Sequence, residues 1–280
     1  MPVLTEHRLR IGDRRVTLVE GPAGWGECSP WPGYPCDPAA ARRAAEEAAS
    51  VGFPARVRAE VRVNALVQGR GFEPRALAGY PCVKVKVGAP GDVDLVAAVR
   101  DAVGPGVALR VDANGAWDVE TAVDRLRVLA RYGLELAEQP VASIDDLAHV
   151  RRRVDVPLGA DECVRSVDDA RRVRARGAAD AVVLKVQPLG GVRAALDVAD
   201  AAGLPAIPTS MMETSVGVAM GLALAAALDE LPYACGLATA ALLAGDVTLD
   251  PLVPDGRGVL AVRPVVPDPA LLARYAETIA

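Results

Sequence analysis

Residues 82–87 read Cys82-Val83-Lys84-Val85-Lys86-Val87. Valine at every second position predicts a β-strand, whose side chains alternate between two faces. Val83, Val85 and Val87 share one face, and Lys84 and Lys86 share the other. Strands covered on both sides are normally apolar throughout, so two lysines on one face need a reason.

Outward from this stretch the chain keeps a regular rhythm. Short apolar runs alternate with longer Ala/Arg/Asp/Leu stretches of helical period. Strands are predicted over 61–67, 82–87, 107–112, 134–138, 157–161, 181–185, 204–208 and 233–237. Helices are predicted over 93–103, 119–132, 144–154, 167–176 and 192–202. Asp118, Ser143 and Ser166 stand where N-caps belong, and Gly104, Gly133, Gly177 and Gly203 where helices stop. Alternation of strand and helix implies right-handed crossovers and a parallel sheet. Eight strands favour a closed (β/α)8-type barrel in an α/β fold. The alternative is an open doubly wound sheet with its site at one switch point.

The flanks break the rhythm. Residues 8–10 and 15–19 read as short antiparallel strands, and 38–50 as an Ala/Glu/Arg helix. The segment 21–37, with Trp25, Trp31 and Tyr34, is too rich in Gly and Pro for a buried element. It forms either a specificity lid over the barrel mouth or a packed surface loop. The tail predicts a strand over 258–262 and a helix over 269–279. The expected organisation is an α+β cap from residues 1–60, a barrel over 61–250, and a return to the cap over 251–280.

Composition narrows the function. The chain has 280 residues, 51% hydrophobic and 24% charged, which excludes a disordered chain. A net charge of −5 and an aromatic content of 4% argue against a nucleic-acid partner. The arginine runs at 151–153 and 171–172 read as solvated helix faces. The apolar run 216–228 is too short for a membrane span and reads as a buried helix. No signal peptide is visible at the N-terminus, and five scattered cysteines without a CxxC pair fit a reducing cytoplasm. His7 and His149 lie far from any partner motif, which disfavours zinc-hydrolase and His-dependent triad chemistry.

The remaining chemistry falls at strand ends. Asp112, Glu138, Asp161 and Lys185 each close a predicted strand. Lys86 and Asp112 are 26 residues apart, Asp112 and Glu138 26, Glu138 and Asp161 23, and Asp161 and Lys185 24. One strand–helix unit therefore separates each charge from the next, and all converge on one barrel mouth. Three adjacent carboxylates repel unless a cation sits between them. An all-oxygen set points to Mg2+, or Mn2+. Lysines on both sides of that ion suit removal of a proton α to a carboxylate, with the metal stabilising the enediolate. A lysine near a cation or partly desolvated has a lowered pKa and can act as a base. Asn114 and Glu162 are expected to support these groups from behind, and Cys163 to pack. Residues 208–217 either present backbone N–H groups to an anion or simply cap a helix through Ser210 or Thr214. Met211 and Met212 serve as core filler or as a substrate wall. Ser210, Met211, Gly236 and Arg110 are the candidate substrate contacts.

The motifs Lys84-Val85-Lys86, Arg110-Val111-Asp112-Ala113-Asn114, Glu138-Gln139-Pro140, Asp161-Glu162 and Leu184-Lys185 together resemble the enolase superfamily, in its muconate-lactonising-enzyme-like subgroup. The resemblance spans nearly the whole chain. It implies a modified (β/α)7β barrel with an α+β cap. It implies that Asp112, Glu138 and Asp161 bind Mg2+, and that Lys86 is the base that also protonates the leaving hydroxyl. Lys185 would stabilise the ring of the intermediate from the opposite face, while Lys84 would lower the Lys86 pKa and contact the substrate carboxylate. Gly24-Trp25-Gly26-Glu27-Cys28-Ser29-Pro30, Val63-Asn64-Ala65 and residues 209–217 point within the subgroup to its dehydrating lyases of menaquinone biosynthesis. A racemase of N-succinyl amino acids, or a dipeptide epimerase, is the alternative. The implied partner is a small carboxylate, with no nucleic acid or membrane, for a monomer or small homo-oligomer.

Overall fold

The structure, a computed structural model, describes residues 3–277. Its first part is a three-stranded antiparallel sheet of β1 (Thr5–Ile11), β2 (Arg14–Gly21) and β3 (Gly24–Cys28). Helix α1 (Pro38–Ser50) covers this sheet. It starts where the Asp37 side chain accepts from the Ala39 amide, with proline in the first turn. Its buried face is all alanine: Ala40, Ala41, Ala44, Ala45, Ala48 and Ala49. Methyl side chains let the helix approach the sheet backbone. At Gly26 an added Cβ would stand 2.1 Å from the Ala45 carbonyl oxygen. Residues 24–28 were expected to lie in an unburied loop. They form instead a strand whose Glu27 is fully buried.

Predicted strand 61–67 is two elements. β4 (Glu60–Arg62) pairs antiparallel with β12 (Val259–Ala261), tying the tail to the cap side. β5 (Asn64–Val67) enters the barrel. The barrel continues through β6 (Cys82–Lys86), α2 (Asp92–Val103), β7 (Ala108–Asp112), α3 (Val119–Leu129), β8 (Leu134–Glu138) and α4 (Ile144–Arg151). Then come β9 (Leu158–Ala160), α5 (Val167–Arg176), β10 (Ala181–Lys185), α6 (Val186–Leu189), α7 (Val192–Ala202), β11 (Ala206–Thr209) and α8 (Ser215–Ala227). Strands β5 to β11 form one parallel seven-stranded sheet in sequential order. The expected eighth strand, 233–237, is reduced to single bridges. Cys235 pairs with Val63 on one edge and Gly236 with Thr209 on the other, and these close the ring.

Helix α3 tightens into a 3₁₀ turn, Ala130–Tyr132, rather than running on. Helix α9 (Pro269–Tyr275) stops short of its predicted end, and positions 278 and 279 lie outside the described residues. Val83, Val85, Leu109, Val111 and Ala137 point outward into the main core against the helices. Leu136, Ala181, Val183 and Ile207 form a small separate cluster, with Tyr233 against it. Alternation places Glu138 and Lys185 on the same strand face as this cluster, one step further towards the strand ends. Helix α8 is buried along almost its whole length, as its apolar run predicts. Among the described residues no helix is long and apolar enough to cross a membrane.

Candidate active site

Strand register brings the charged row together. Lys86 lies beside Asp112, and Asp112 beside Glu138. Asp161 follows β9 and Lys185 ends β10. A cavity of about 570 Å3 opens above, lined by Lys84, Lys86, Asp112, Asn114, Glu162 and Lys185. Asn64, Leu66, Ser210, Met211, Met212, Gly236 and Thr239 are also among its lining, and Trp31, Gly33, Tyr34 and Pro35 reach it from the cap. Glu138 and Asp161 do not open onto it. Lys84 is bonded to the first, and Lys185 and Tyr34 to the second.

Ammonium groups tie the carboxylates. Lys84 Nζ donates to Asp112 Oδ2 at 3.0 Å and to Glu138 Oε1 at 2.8 Å. Lys86 Nζ donates to the same Asp112 oxygen at 2.6 Å and to Asn114 Oδ1 at 2.8 Å. Asn114 in turn donates to Glu162 Oε1 at 2.8 Å, leaving the buried Glu162 Oε2 without a partner among the described residues. Lys185 donates to Asp161 Oδ2.

Burial raises every carboxyl here, and neighbouring charge decides the outcome. At Asp112 the Lys84 and Lys86 ammoniums outweigh burial and hold the carboxyl well below its ordinary range. At Asp161, Lys185 and Arg165 do the same. Glu138 is pushed up to about 8 by burial and by Asp112 beside it. Glu162 is raised by burial and by Asp161. Burial pulls Lys84 down, but Asp112 and Glu138 prevail and hold its ammonium above the ordinary value.

Among the described residues no three carboxylate, imidazole or thiol groups converge tightly enough to hold an ion as they stand. The donor chemistry nevertheless fits a hard divalent cation. Three buried carboxylates stand at or just past the ends of adjacent strands, and one of them, Glu138, is pushed towards protonation by burial and by its neighbour.

The other expected residues fall on both sides. Ser210, Met211 and Gly236 line the cavity. Arg110 does not. It is buried deeper in the barrel, donating to Glu135 at 2.6 Å and to the Ala234 carbonyl at 2.8 Å, with Tyr233 against it. Cys163 packs against the main core, and burial pushes its thiol up to about 11. Thr214 is the N-cap of α8. The group at that helix start is the chain's own Glu27 carboxyl, its pKa raised by burial, which accepts from the amides of Thr214 and Gly217 at 3.3 and 3.0 Å.

Four residues escaped the sequence reading. Glu27, Gln187 and Glu213 are buried where cap meets barrel: Gln187 accepts from the Ser29 amide at 2.7 Å and donates to Glu213 at 2.8 Å. Glu27 gave no signal of this, because Gly24 and Gly26 before it make its strand read as loop. Tyr34 was noted only as a loop aromatic, yet its phenol donates to Asp161 at 2.6 Å.

Residues 71–265 match the enolase C-terminal domain-like family, and residues 2–49 the enolase N-terminal domain-like family. The chain is 54% identical to an o-succinylbenzoate synthase of Thermobifida fusca, over 95% of this chain and 86% of that protein. It is 46% identical to an o-succinylbenzoate synthase of Mycolicibacterium smegmatis, over 94% of this chain and 84% of that protein. Among solved structures, muconate lactonizing enzyme from Pseudomonas putida superposes with a TM-score of 0.84 at 23% identity, covering 98% of this chain and 99% of that one. A dipeptide epimerase from Enterococcus faecalis superposes with a TM-score of 0.79 at 22% identity, covering 93% and 95%.

Proposed function

The chain belongs to the enolase superfamily and aligns along nearly its whole length with o-succinylbenzoate synthases, and on that premise we propose that it dehydrates 2-succinyl-6-hydroxy-2,4-cyclohexadiene-1-carboxylate to o-succinylbenzoate. It is a lyase, and this step belongs to menaquinone biosynthesis. The observation that carries the reading is the 54% identity over 95% of the chain. The row of three carboxylates between lysines supports the chemistry.

We assign the roles as follows. Asp112, Glu138 and Asp161 would hold Mg2+, and the coarser requirement is a divalent cation. When bound, that ion supplies positive charge to the substrate carboxylate as its α-carbon loses a proton. Lys86 Nζ takes that proton as a neutral amine, and the C–H electron pair passes into the substrate carboxylate as an enediolate. As the C–O bond then breaks, that pair returns to form the new ring double bond, and Lys86 gives the proton to the departing hydroxyl, which leaves as water. Removal and return on one face make the elimination syn. Lys185 faces the substrate from the other side of the carboxylate row and holds negative charge there. Lys84, held as an ammonium by Asp112 and Glu138, would meet the substrate carboxylate beside Lys86. The five free thiols support a cytoplasmic setting. We further propose a cap of residues 1–60 with 251–280 and a barrel of 61–250, with β4 at the boundary paired to the tail.

The test is direct. The purified protein with Mg2+ and the cyclohexadiene carboxylate should show rapid conversion by ultraviolet absorbance, abolished by EDTA. No conversion by folded, metal-loaded protein sinks the reading. α-Proton exchange of N-succinyl amino acids or dipeptides in D2O would then identify the racemase or epimerase.

A further inference from the structure

Tyr34 belongs to the cap segment between β3 and α1, yet its phenol sits among the barrel charges. It donates to Asp161 Oδ1 at 2.6 Å and accepts from Lys185 Nζ at 3.0 Å and from Arg165 Nη2. The ring lies 4.2 Å from Lys185 Nζ and 4.7 Å from the Arg165 guanidinium carbon. Lys185 takes the other oxygen of Asp161. Both oxygens of this carboxylate are therefore engaged, one by a strand-end lysine and one by the cap.

The two partners differ in freedom. Lys185 is buried and closes β10, within the parallel sheet. Tyr34 lies in a turn closed by its own amide donating to the Trp31 carbonyl at 3.2 Å. Its neighbours Trp31, Pro32, Gly33 and Pro35 are exposed, and Gly33 has φ +87°, a conformation that glycine adopts without strain. Trp31 rests on the Arg14 guanidinium, 4.6 Å from its ring centroid. Of the two groups on Asp161, the phenol is the one carried on an exposed turn outside the sheet.

We propose that Tyr34 is a cap-borne gate on the cation site: its phenol occupies Asp161 in place of a divalent ion, and must leave that carboxylate before the ion can ligate it. The inference rests on the reading of Asp161 as a ligand. It makes cation binding and the position of the 31–35 turn one coupled equilibrium, since whatever binds Asp161 without Tyr34 favours the displaced turn. Trp31, three residues away on the same turn, reports that displacement.

The experiment is titration of the cation-free protein with Mg2+ by calorimetry and with Mn2+ by electron paramagnetic resonance. Tyr34→Phe removes the competing donor and should bind either ion roughly tenfold tighter, the scale of one lost hydrogen bond to a charged group. Tyr34→Ala, which removes the ring as well, should move in the same direction. Mg2+ should shift tryptophan emission in the wild type, and Trp31→Phe should lose that shift. Asp161→Asn should bind far more weakly. Unchanged or weaker binding by both Tyr34 variants, with Asp161→Asn still weakened, overturns the gate and leaves the ligand assignment standing. Asp161→Asn binding as tightly as wild type overturns that assignment and the gate with it. Emission that does not respond to saturating Mg2+ overturns the movement of the turn.

Discussion

Besides its bond to carbon, the Nζ of Lys86 has three tetrahedral positions, two of which point at Asp112 and Asn114. A neutral amine donates both of those bonds and still holds a lone pair in the third. The two acceptors thus aim the base towards the cavity that Lys86 lines. Lys86→Ala should lower turnover by roughly a thousandfold or more, the scale of a positioned proton-transfer group, while the protein still binds Mg2+. Calorimetry together with α-proton exchange in D2O separates the two effects. A variant that keeps its exchange rate would remove Lys86 from the role of base. At this scale the strand-end residues were legible because a charge in phase with successive strands has few structural uses. Arg110, offered as a substrate contact, lies instead two residues before the strand end, where Glu135 and the Ala234 carbonyl take its guanidinium. Tyr34 was illegible because a turn has no periodicity to say where its side chains go.

Single elements show what patterning misses. Strand β3 reads as loop because Gly24 and Gly26 have no strand propensity. The glycine at 26 serves a contact instead, the close passage of α1 with its row of alanines. Gly26→Ala should destabilise the fold by about 3 kcal/mol, because the obstruction is backbone and cannot turn aside. Thermal or urea unfolding measures this, and a change within error would show that the helix can retreat. The barrel helices were read well from caps and end glycines, with differences of a turn or less at most ends. The run 61–67 was read as one strand because nothing in its alternation shows that β4 pairs with the tail and only β5 with the barrel. Pairing partners are set by residues some 200 positions away. The final strand was legible as an apolar run, although single bridges at Cys235 and Gly236 are all that it forms.

For the whole molecule, the junction between cap and barrel contains two buried acids, Glu27 and Glu213. Glu213 is pushed up to about 8 by burial and by Glu27 nearby. A carboxyl raised in the folded state favours folding fully below its unfolded pKa. That contribution disappears as pH rises from the ordinary value of 4.5 through about 8. Stability should therefore fall by a few kcal/mol across this window on account of Glu213, and Glu213→Gln should flatten the decline. Urea unfolding of both proteins at about pH 5 and about pH 9 makes the comparison. Parallel pH profiles would show that Glu213 is not the group responsible. None of this was visible beforehand, because the two acids are far apart in the chain and meet only when the cap docks.

The seat of Glu27 at the start of α8 bears on how such proteins are recombined. The barrel leaves a helix terminus whose amides are satisfied by an acid from another part of the chain. A cap borrowed from a different scaffold would have to bring its own carboxylate to that spot. Without one, the graft would bury bare amides where the halves join. Cap and barrel are in that sense a matched pair, and homologous chimaeras divided between them should inherit compatibility through this one acid before any residue facing the substrate matters.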